Sequence, residues 1–460
     1  MKLLIVSAWY KPFVHPRAHR WSALAEYWAK KGHEVHVITA RVNTPKGLTN
    51  LNRVFVHRVG FDSLKEYVYQ ITGKKNGRGR VDAKPAQATW YWAILEWLYR
   101  QIWKRIYFPD DTCIWYFPAK RKLLKLLSTE KFDGLFTVSL PFTDHLLGLA
   151  AKEKYPGLPW IADTGDPFSF QAKAPNSSFL YTPLNKKLEK EVLTKADAVT
   201  VTVENLIAQY ATEFGADYAN RLSVIPPLLH PKPVSGNNVS ALEGSKLVLS
   251  YFGSFYAPTR SPEPFIRLLE RAALLFPEFF TNVTVEIWGE VFPEFYELFS
   301  KNPLVELKGL RSREQCREAM FKADVLINIG NTTDFQLPSK AVDYLVSGRP
   351  VFHLSFVKSD PFRDVFLGHP AFYHMEANSE VFSDEAIKEW VYWLGMKKVL
   401  PEKYIIEQMI QPFLIEQVSQ QYIKLISDKL VAPTPDNPGR ISRSENSLST
   451  FLPAIQAHVF

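Results

Sequence analysis

Short apolar runs alternate with amphipathic stretches from the first residues onward. Residues 2–7 (KLLIVS) are a continuous apolar run of strand length. Trp21 to Lys31 (WSALAEYWAKK) carries its apolar residues at helical spacing and stops at Gly32, and Glu34 to Thr39 (EVHVIT) is again strand-like. The alternation continues through a strand at Gly134 to Ser139, a helix near Thr143 to Lys154, a strand at Pro159 to Asp163, a helix near Leu184 to Lys195, and strands at Ala198 to Val203 and Leu222 to Ile225. Near-continuous apolar strands separated by helices predict a parallel sheet covered on both faces.

A stretch rich in Pro, Asn, Ser and Gly interrupts this series, and a second one follows. Its strands are Leu247 to Phe252, Val283 to Trp288, Val305 to Leu307, Val325 to Ile329 and Val351 to Leu354. Its helices are Glu263 to Leu275, Arg313 to Lys322 and Ser339 to Ser347, and helical spacing returns in Ser383 to Met396 and Tyr404 to Leu430. The chain thus divides into an α/β domain over 1–228, with an aromatic and basic helical insertion at about 85–127, a linker at 229–244, a second α/β domain at 245–400, helices at 401–430 and a polar tail at 431–460, expected to be disordered.

Length agrees with this division, since 460 residues exceed one ordinary core and fit two. Cys113 and Cys316 are the only cysteines, so neither a disulfide framework nor a zinc site is supported, and a cytoplasmic setting is expected. The first apolar run is too short for a signal peptide, and no run is long enough to span a membrane. The net charge of +8 favours acidic partners, among which nucleotide phosphates and anionic lipid both qualify. The cations are not gathered into a nucleic-acid recognition motif, which ranks nucleic acid last.

Open α/β sheets bind ligands beyond the carboxyl ends of their strands, so the loops there hold the candidate chemistry. No glycine follows the first strand until Gly32 and no GxxxxGK[ST] segment exists, which argues against a dinucleotide site and a P-loop. After the first strand come Arg17, His19 and Arg20, a cationic group before a helix, fit for a phosphate or acidic sugar or simply solvated. DTGDPFSF offers Asp163 and Asp166 as hydroxyl-orienting or proton-moving carboxylates, with an Asx turn as the plainer use, and SLPFTDH offers His145. In the second domain Gly253 permits close backbone approach, Arg260 carries a fork suited to a diphosphate, and the loop at Leu310 has backbone groups able to wrap a base. In FQLPSKAVDYLVSGRPVF, Pro338 and Ser339 start a helix that puts Lys340 and Asp343 on one face and ends at Gly348.

The segments LAEYWAKKGHEVHVIT, ADAVTVTVENL, VIPP, SYFGSFYAPTRSPE, FKADVLINIG and LPSKAVDYLVSGRPV, in this order, resemble the retaining glycosyltransferases of family 4, of GT-B fold, that act in bacterial polysaccharide and lipopolysaccharide biosynthesis. The resemblance covers most of residues 1–430. It implies two Rossmann-like domains facing a central cleft, with the C-terminal helices packing back toward the first. It further implies metal-independent, retaining transfer of a sugar, of hexosyltransferase type, from a nucleotide diphosphate sugar to a hydroxyl of a glycan or polyprenyl-linked glycan, with no cofactor. Asp343 matches the ribose-binding acid, and Arg260 and Lys340 match the basic pair on the diphosphate. Two positions depart from the pattern: Ser254 stands where many members carry arginine, and Phe335 where many carry glutamate.

The sequence therefore assigns Asp166 and His145 to catalysis, Gly253, Arg260, Leu310, Ser339, Lys340 and Asp343 to the donor, Arg17, His19 and Arg20 to the acceptor, and no residue to a metal. Tryptophans and tyrosines interleaved with Arg and Lys over Thr89 to Leu127 suit either a packed insertion or a peripheral helix pair on the inner face of the cytoplasmic membrane. A nucleotide-sugar epimerase or hydrolase of the same fold, and an inactive scaffold, are the alternative functions.

Overall fold

The computed structural model describes residues 1–41, 47–51, 53–64, 103, 106–171, 174–229, 246–255, 259–377, 382–396 and 400–431. Much of the aromatic segment, including residues 89–102, lies outside the described residues, as do all of the 229–244 linker but Leu229 and all of the 431–460 tail but Val431.

Two sheets account for the two hydropathy series. The first holds β1 (Lys2–Val6), β2 (Glu34–Arg41), β3 (Gly47–Leu51), β4 (Val54–Phe61), β5 (Gly134–Ser139), β6 (Trp160–Thr164), β7 (Ala198–Val201) and β8 (Leu222–Val224), in the order β3-β4-β2-β1-β5-β6-β7-β8. Only β3 runs antiparallel, against β4. The second holds β9 (Leu247–Phe252), β10 (Val283–Trp288), β11 (Val305–Gly309), β12 (Val325–Ile329), β13 (Val351–Ser355) and β14 (Phe372–Glu376), all parallel, in the order β11-β10-β9-β12-β13-β14. The edge strands β3 and β14, and β4 next to β3, were not legible in the sequence, because strands that are only partly buried mix polar and apolar residues and lose the continuous apolar run.

The helices bearing on the cleft are α1 (Pro16–Lys30), α2 (Glu204–Phe214), α3 (Arg313–Lys322), α4 (Lys340–Ser347) and α5 (Ile415–Val431). The first starts five residues before the apolar spacing suggests. His15 caps it by accepting the Arg17 N–H on Nδ1, and Pro16 occupies the first turn, where its missing N–H costs nothing. Arg17, His19 and Arg20 therefore stand on a helix rather than in the loop before it.

The helical spacing over Tyr404 to Leu430 is divided at Pro412, which has no N–H to continue the ladder: Lys403–Ile410, one 3₁₀ turn and then α5 result. The break lets α5 return to the first domain. Val418, Tyr422 and Ile426, one apolar stripe of α5, join the core formed by Leu3, Ile5, Trp21, Trp28 and Phe136, and Trp28 donates its indole N–H to Ser419 at 2.8 Å. The helix Tyr116–Thr129, the described end of the aromatic and basic segment, buries Ala119, Leu123 and Leu126 in the first domain's other core layer and exposes Phe117. Among the described residues no helix is long and apolar enough to cross a membrane.

Candidate active site in the cleft between the sheets

Each sheet reverses its strand order once at its centre, between β1 and β5 in the first domain and between β9 and β12 in the second. Loops leaving the carboxyl ends of such strand pairs diverge, and the crevice between them is where open α/β sheets bind ligands. The two crevices face each other across a cavity of about 680 Å³. His15, Arg17, His19, Arg20, Ser139 and Asp166 line it from the first domain; Arg260, Arg313, Asn331, Gln336, Ser339, Lys340 and Asp343 line it from the second.

On the second-domain wall, α4 begins at Ser339 and ends at Gly348, whose φ of +62° is the left-handed cap a glycine allows. Its first residue, Lys340, is buried, with its amine 3.7 Å from the centre of the Tyr251 ring and 5.5 Å from that of Tyr344. Among the described residues that amine has no hydrogen-bond partner. Burial, reinforced by the Arg260 charge, holds its pKa well below the usual lysine range. Arg260 is also buried and directs Nε and Nη2 to Asn331 Oδ1 at 3.0 and 2.7 Å. Asp343, one turn along α4, lies 3.7 Å from Arg313 Nη2; burial raises its pKa, and Arg313 and Arg317 offset the rise. The Lys340 amine at the start of α4, with the Arg260 guanidinium and the Asp343 carboxyl on the same wall, thus forms a surface suited to an anion flanked by hydroxyls.

The first-domain wall behaves differently. Arg17 donates Nε to the Ser139 carbonyl at 2.7 Å and Nη2 to the Asp163 carboxylate. Arg20 donates to the carbonyls of Pro226 and Ile225 and to the Tyr422 hydroxyl. Both guanidiniums thus hydrogen-bond within the protein while they line the cavity. Asp163 is their hub: it also accepts from Trp21 Nε1 at 2.9 Å, Thr200 Oγ1 at 2.6 Å and Tyr422 Oη at 2.6 Å. Burial alone would raise its pKa, but Arg17, Arg20 and the two hydroxyls bring it below the ordinary value. His19 keeps its place in the lining, its pKa lowered by burial and by Arg313 across the cleft.

Asp166 also lines the cavity, and Gln336 Nε2 of the opposite domain donates to its Oδ1 at 2.8 Å. Burial raises its pKa; Gln336 and Arg17 partly counter the rise. His145 lies elsewhere. It is fully buried beneath the loop, with Nδ1 2.7 Å from Thr137 Oγ1, and burial pushes its pKa down to about 3. Its ring nitrogens face Thr137 and Thr164 and it does not line the cavity, so the structure does not bring His145 together with the other residues expected at the site. Leu310 is 54% exposed on the loop after β11 and does not line the cavity. Gly253 lies behind Lys340: its φ of +131° favours glycine, and a Cβ there would come within 3.9 Å of the Lys340 amine.

Sequence reasoning missed His15, Arg313, Asn331 and Gln336. Asn331 follows β12 and the other three stand beside helix starts, all at strand-to-helix junctions, but nothing in their types marks them out from capping or solvated residues. Away from the cleft, Glu34, His36 and Glu130 bring three potential ligand atoms within 4.8 Å, but the Lys2 ammonium bridges both carboxylates at 2.7 Å and supplies the positive charge there.

No protein-family description and no curated protein matches the chain. Solved structures do. Sucrose-phosphate synthase from Thermosynechococcus elongatus superposes with a TM-score of 0.62 at 13% identity, covering 94% of this chain and 100% of that one. The catalytic domain of starch synthase IV from Arabidopsis thaliana, bound to ADP and acarbose, gives 0.57 at 11% identity over 94% and 99%. Anabaena HepE in complex with UDP-glucose gives 0.54 at 12% over 93% and 100%. The likeness is one of fold: two parallel-sheet domains of the GT-B type.

Proposed function

We propose that this protein is a glycosyltransferase that moves a sugar from a nucleotide diphosphate sugar to a hydroxyl of a glycan or lipid-linked glycan, with retention. The observation that carries the reading is the buried, unpartnered amine of Lys340 beside Arg260 at the start of α4, on the floor of an interdomain cleft. An amine buried without a partner costs stability, and a bound diphosphate repays it by restoring the charged form and accepting its hydrogen bonds.

In this reading the diphosphate lies against Lys340, Arg260 and the N-terminus of α4. Negative charge that develops as the glycosidic bond breaks is stabilised by groups already in place. Asp343 accepts from the ribose hydroxyls, exchanging its distant contact with Arg313 for them. Asp166, facing Lys340's wall from the first domain, orients a hydroxyl of the transferred sugar or of the acceptor, with His19 beside it. Same-face attack needs no enzyme nucleophile, because the departing diphosphate takes the acceptor proton. The fold neighbours that carry UDP-glucose or ADP in their structures support a nucleotide as the ligand class.

A thermal-shift screen of nucleoside diphosphates and their sugars tests this directly. At least one is expected to raise the melting temperature, since a ligand at a hundred times its Kd adds about 2.7 kcal/mol to stability. No shift with any of them would sink the reading. Product analysis with a labelled donor, with and without lipid extract, then separates transfer from hydrolysis or epimerisation.

A further inference from the structure

One loop of the second domain, between β12 and α4, is built into the first. The Phe335 side chain turns away from the cavity and is buried in the first domain's core layer, its ring 6.0 Å from that of Phe170 in an edge-to-face arrangement. Leu337 packs against the same layer. From α2, Asn205 donates Nδ2 to the Asp334 carbonyl at 2.7 Å and to the Ser359 carbonyl and hydroxyl at 3.1 and 2.9 Å, and Gln209 reaches the Asp334 carboxylate at 3.3 Å. Between these anchors Gln336 enters the cavity. Its amide nitrogen donates to Asp166, and its amide oxygen accepts from Thr333 Oγ1 at 3.2 Å, which fixes which end of the amide faces the carboxylate. The same loop reaches the phosphate wall through Asn331, whose Oδ1 holds Arg260.

We propose that residues 334–337 are an interdomain clasp and that Gln336 is its positioning residue, aligning the Asp166 carboxylate only while Phe335 and Asn205 hold the two domains together. The role of Asp166 toward substrate rests on the function proposed above; the clasp does not. Phe335 is then an anchor, and the polar contact that its position does not supply to the cavity comes from its neighbour Gln336. Because the clasp runs into Asn331, occupation of the phosphate wall and alignment of Asp166 are mechanically linked through one short segment.

Three variants distinguish this from incidental packing: Gln336→Met, which keeps shape and removes the hydrogen bond; Phe335→Ala; and Asn205→Asp, which sets an acceptor against two carbonyls without making a cavity. Solution scattering reads domain closure. The charge state of Asp166 is read as the difference in melting temperature between each protein and its Asp166→Asn counterpart across pH. A carboxyl raised by folding costs stability above its unfolded value, and the cost is complete above its folded value. The groups facing it are Gln336, Arg17 from α1 and Tyr210 from α2.

Q336M is expected to leave the radius of gyration unchanged and extend this pH window upward. F335A and N205D are expected to increase the radius of gyration and contract the window, because opening returns Asp166 to water. An unchanged radius of gyration in both F335A and N205D, or an unmoved window in Q336M, overturns the proposal. Calorimetric titration with UDP and ADP on the same proteins keeps the two readings apart. No binding to the unmodified protein defeats the proposed function and leaves the clasp standing, whereas binding with unaltered scattering and window defeats the clasp alone.

Discussion

Replacing Lys340 with methionine weakens nucleoside diphosphate binding by roughly tenfold to a hundredfold while leaving the melting temperature unchanged or higher. The loss follows from removing a hydrogen bond to a charged group, worth about 1.5–3 kcal/mol. The retained or improved stability follows from the native environment: the amine sits between Tyr251 and Tyr344 with no hydrogen-bond partner among the described residues to lose, and methionine is an apolar chain of similar reach that keeps contact with both rings. Because folding lowers the pKa of this amine, it costs stability below its unfolded value, and the cost is largest below its folded value. The advantage of K340M should therefore grow as pH falls. Calorimetric titration with UDP and ADP, paired with melting curves from pH 5 to 10, checks both halves. A variant that binds normally, or one that melts far earlier, would contradict the assignment of Lys340 to ligand rather than to scaffold.

Replacing Asp163 with alanine produces the opposite pattern, a large stability loss. Arg17, Trp21, Thr200 and Tyr422 all donate to this one buried carboxylate, and Arg20 reaches it through Tyr422. Removing one partner of a buried ion pair costs about 3–5 kcal/mol because the remaining charge is left uncompensated. For a domain of this size that is on the order of 10 °C in melting temperature. Tyr422 belongs to α5, so hydrogen exchange over Ile415–Val431 should quicken in the same variant. The pH dependence has a definite sign. Folding lowers the pKa of Asp163, so its contribution is fully present above the unfolded value of about 4 and is lost as pH falls through the folded one. The unmodified protein should lose this increment only in acid, and D163A should lack it at neutral pH. Equal melting of the two proteins at pH 7 would show that the hub carries no net stability.

These two residues show how far a linear reading reaches. Lys340 and Asp343 were legible because both lie within one helix, where spacing alone puts them on the same face, and because Ser339 and Gly348 mark its ends. Arg260 was legible from its place after an apolar strand. Arg17 and Arg20 were equally conspicuous, but their hydrogen bonds to Asp163, to main-chain carbonyls and to Tyr422, some four hundred residues from Arg20 in the chain, were not. His145 followed a strand end like the others but faces inward. Nothing in a string of residues says whether a cation at a strand end meets a ligand or a carboxylate brought from elsewhere.

Local periodicity was enough to specify two parallel α/β units, several of their crossover helices and the helix that presents Lys340, because each follows from interactions within a few residues; α2 and the helix Pro293–Ser300 were not read. The meeting of Asp166 with Gln336, the turning of Phe335 into the other domain and the hydrogen bonds of Arg17 and Arg20 to distant residues depend on long-range packing. Gln336 and Phe335 meet the first domain across the cleft, and Arg20 meets Tyr422 only because α5 packs back on that domain. The chemistry available to this protein was written in its residue types, and the fold selected which of those residues reach the cleft.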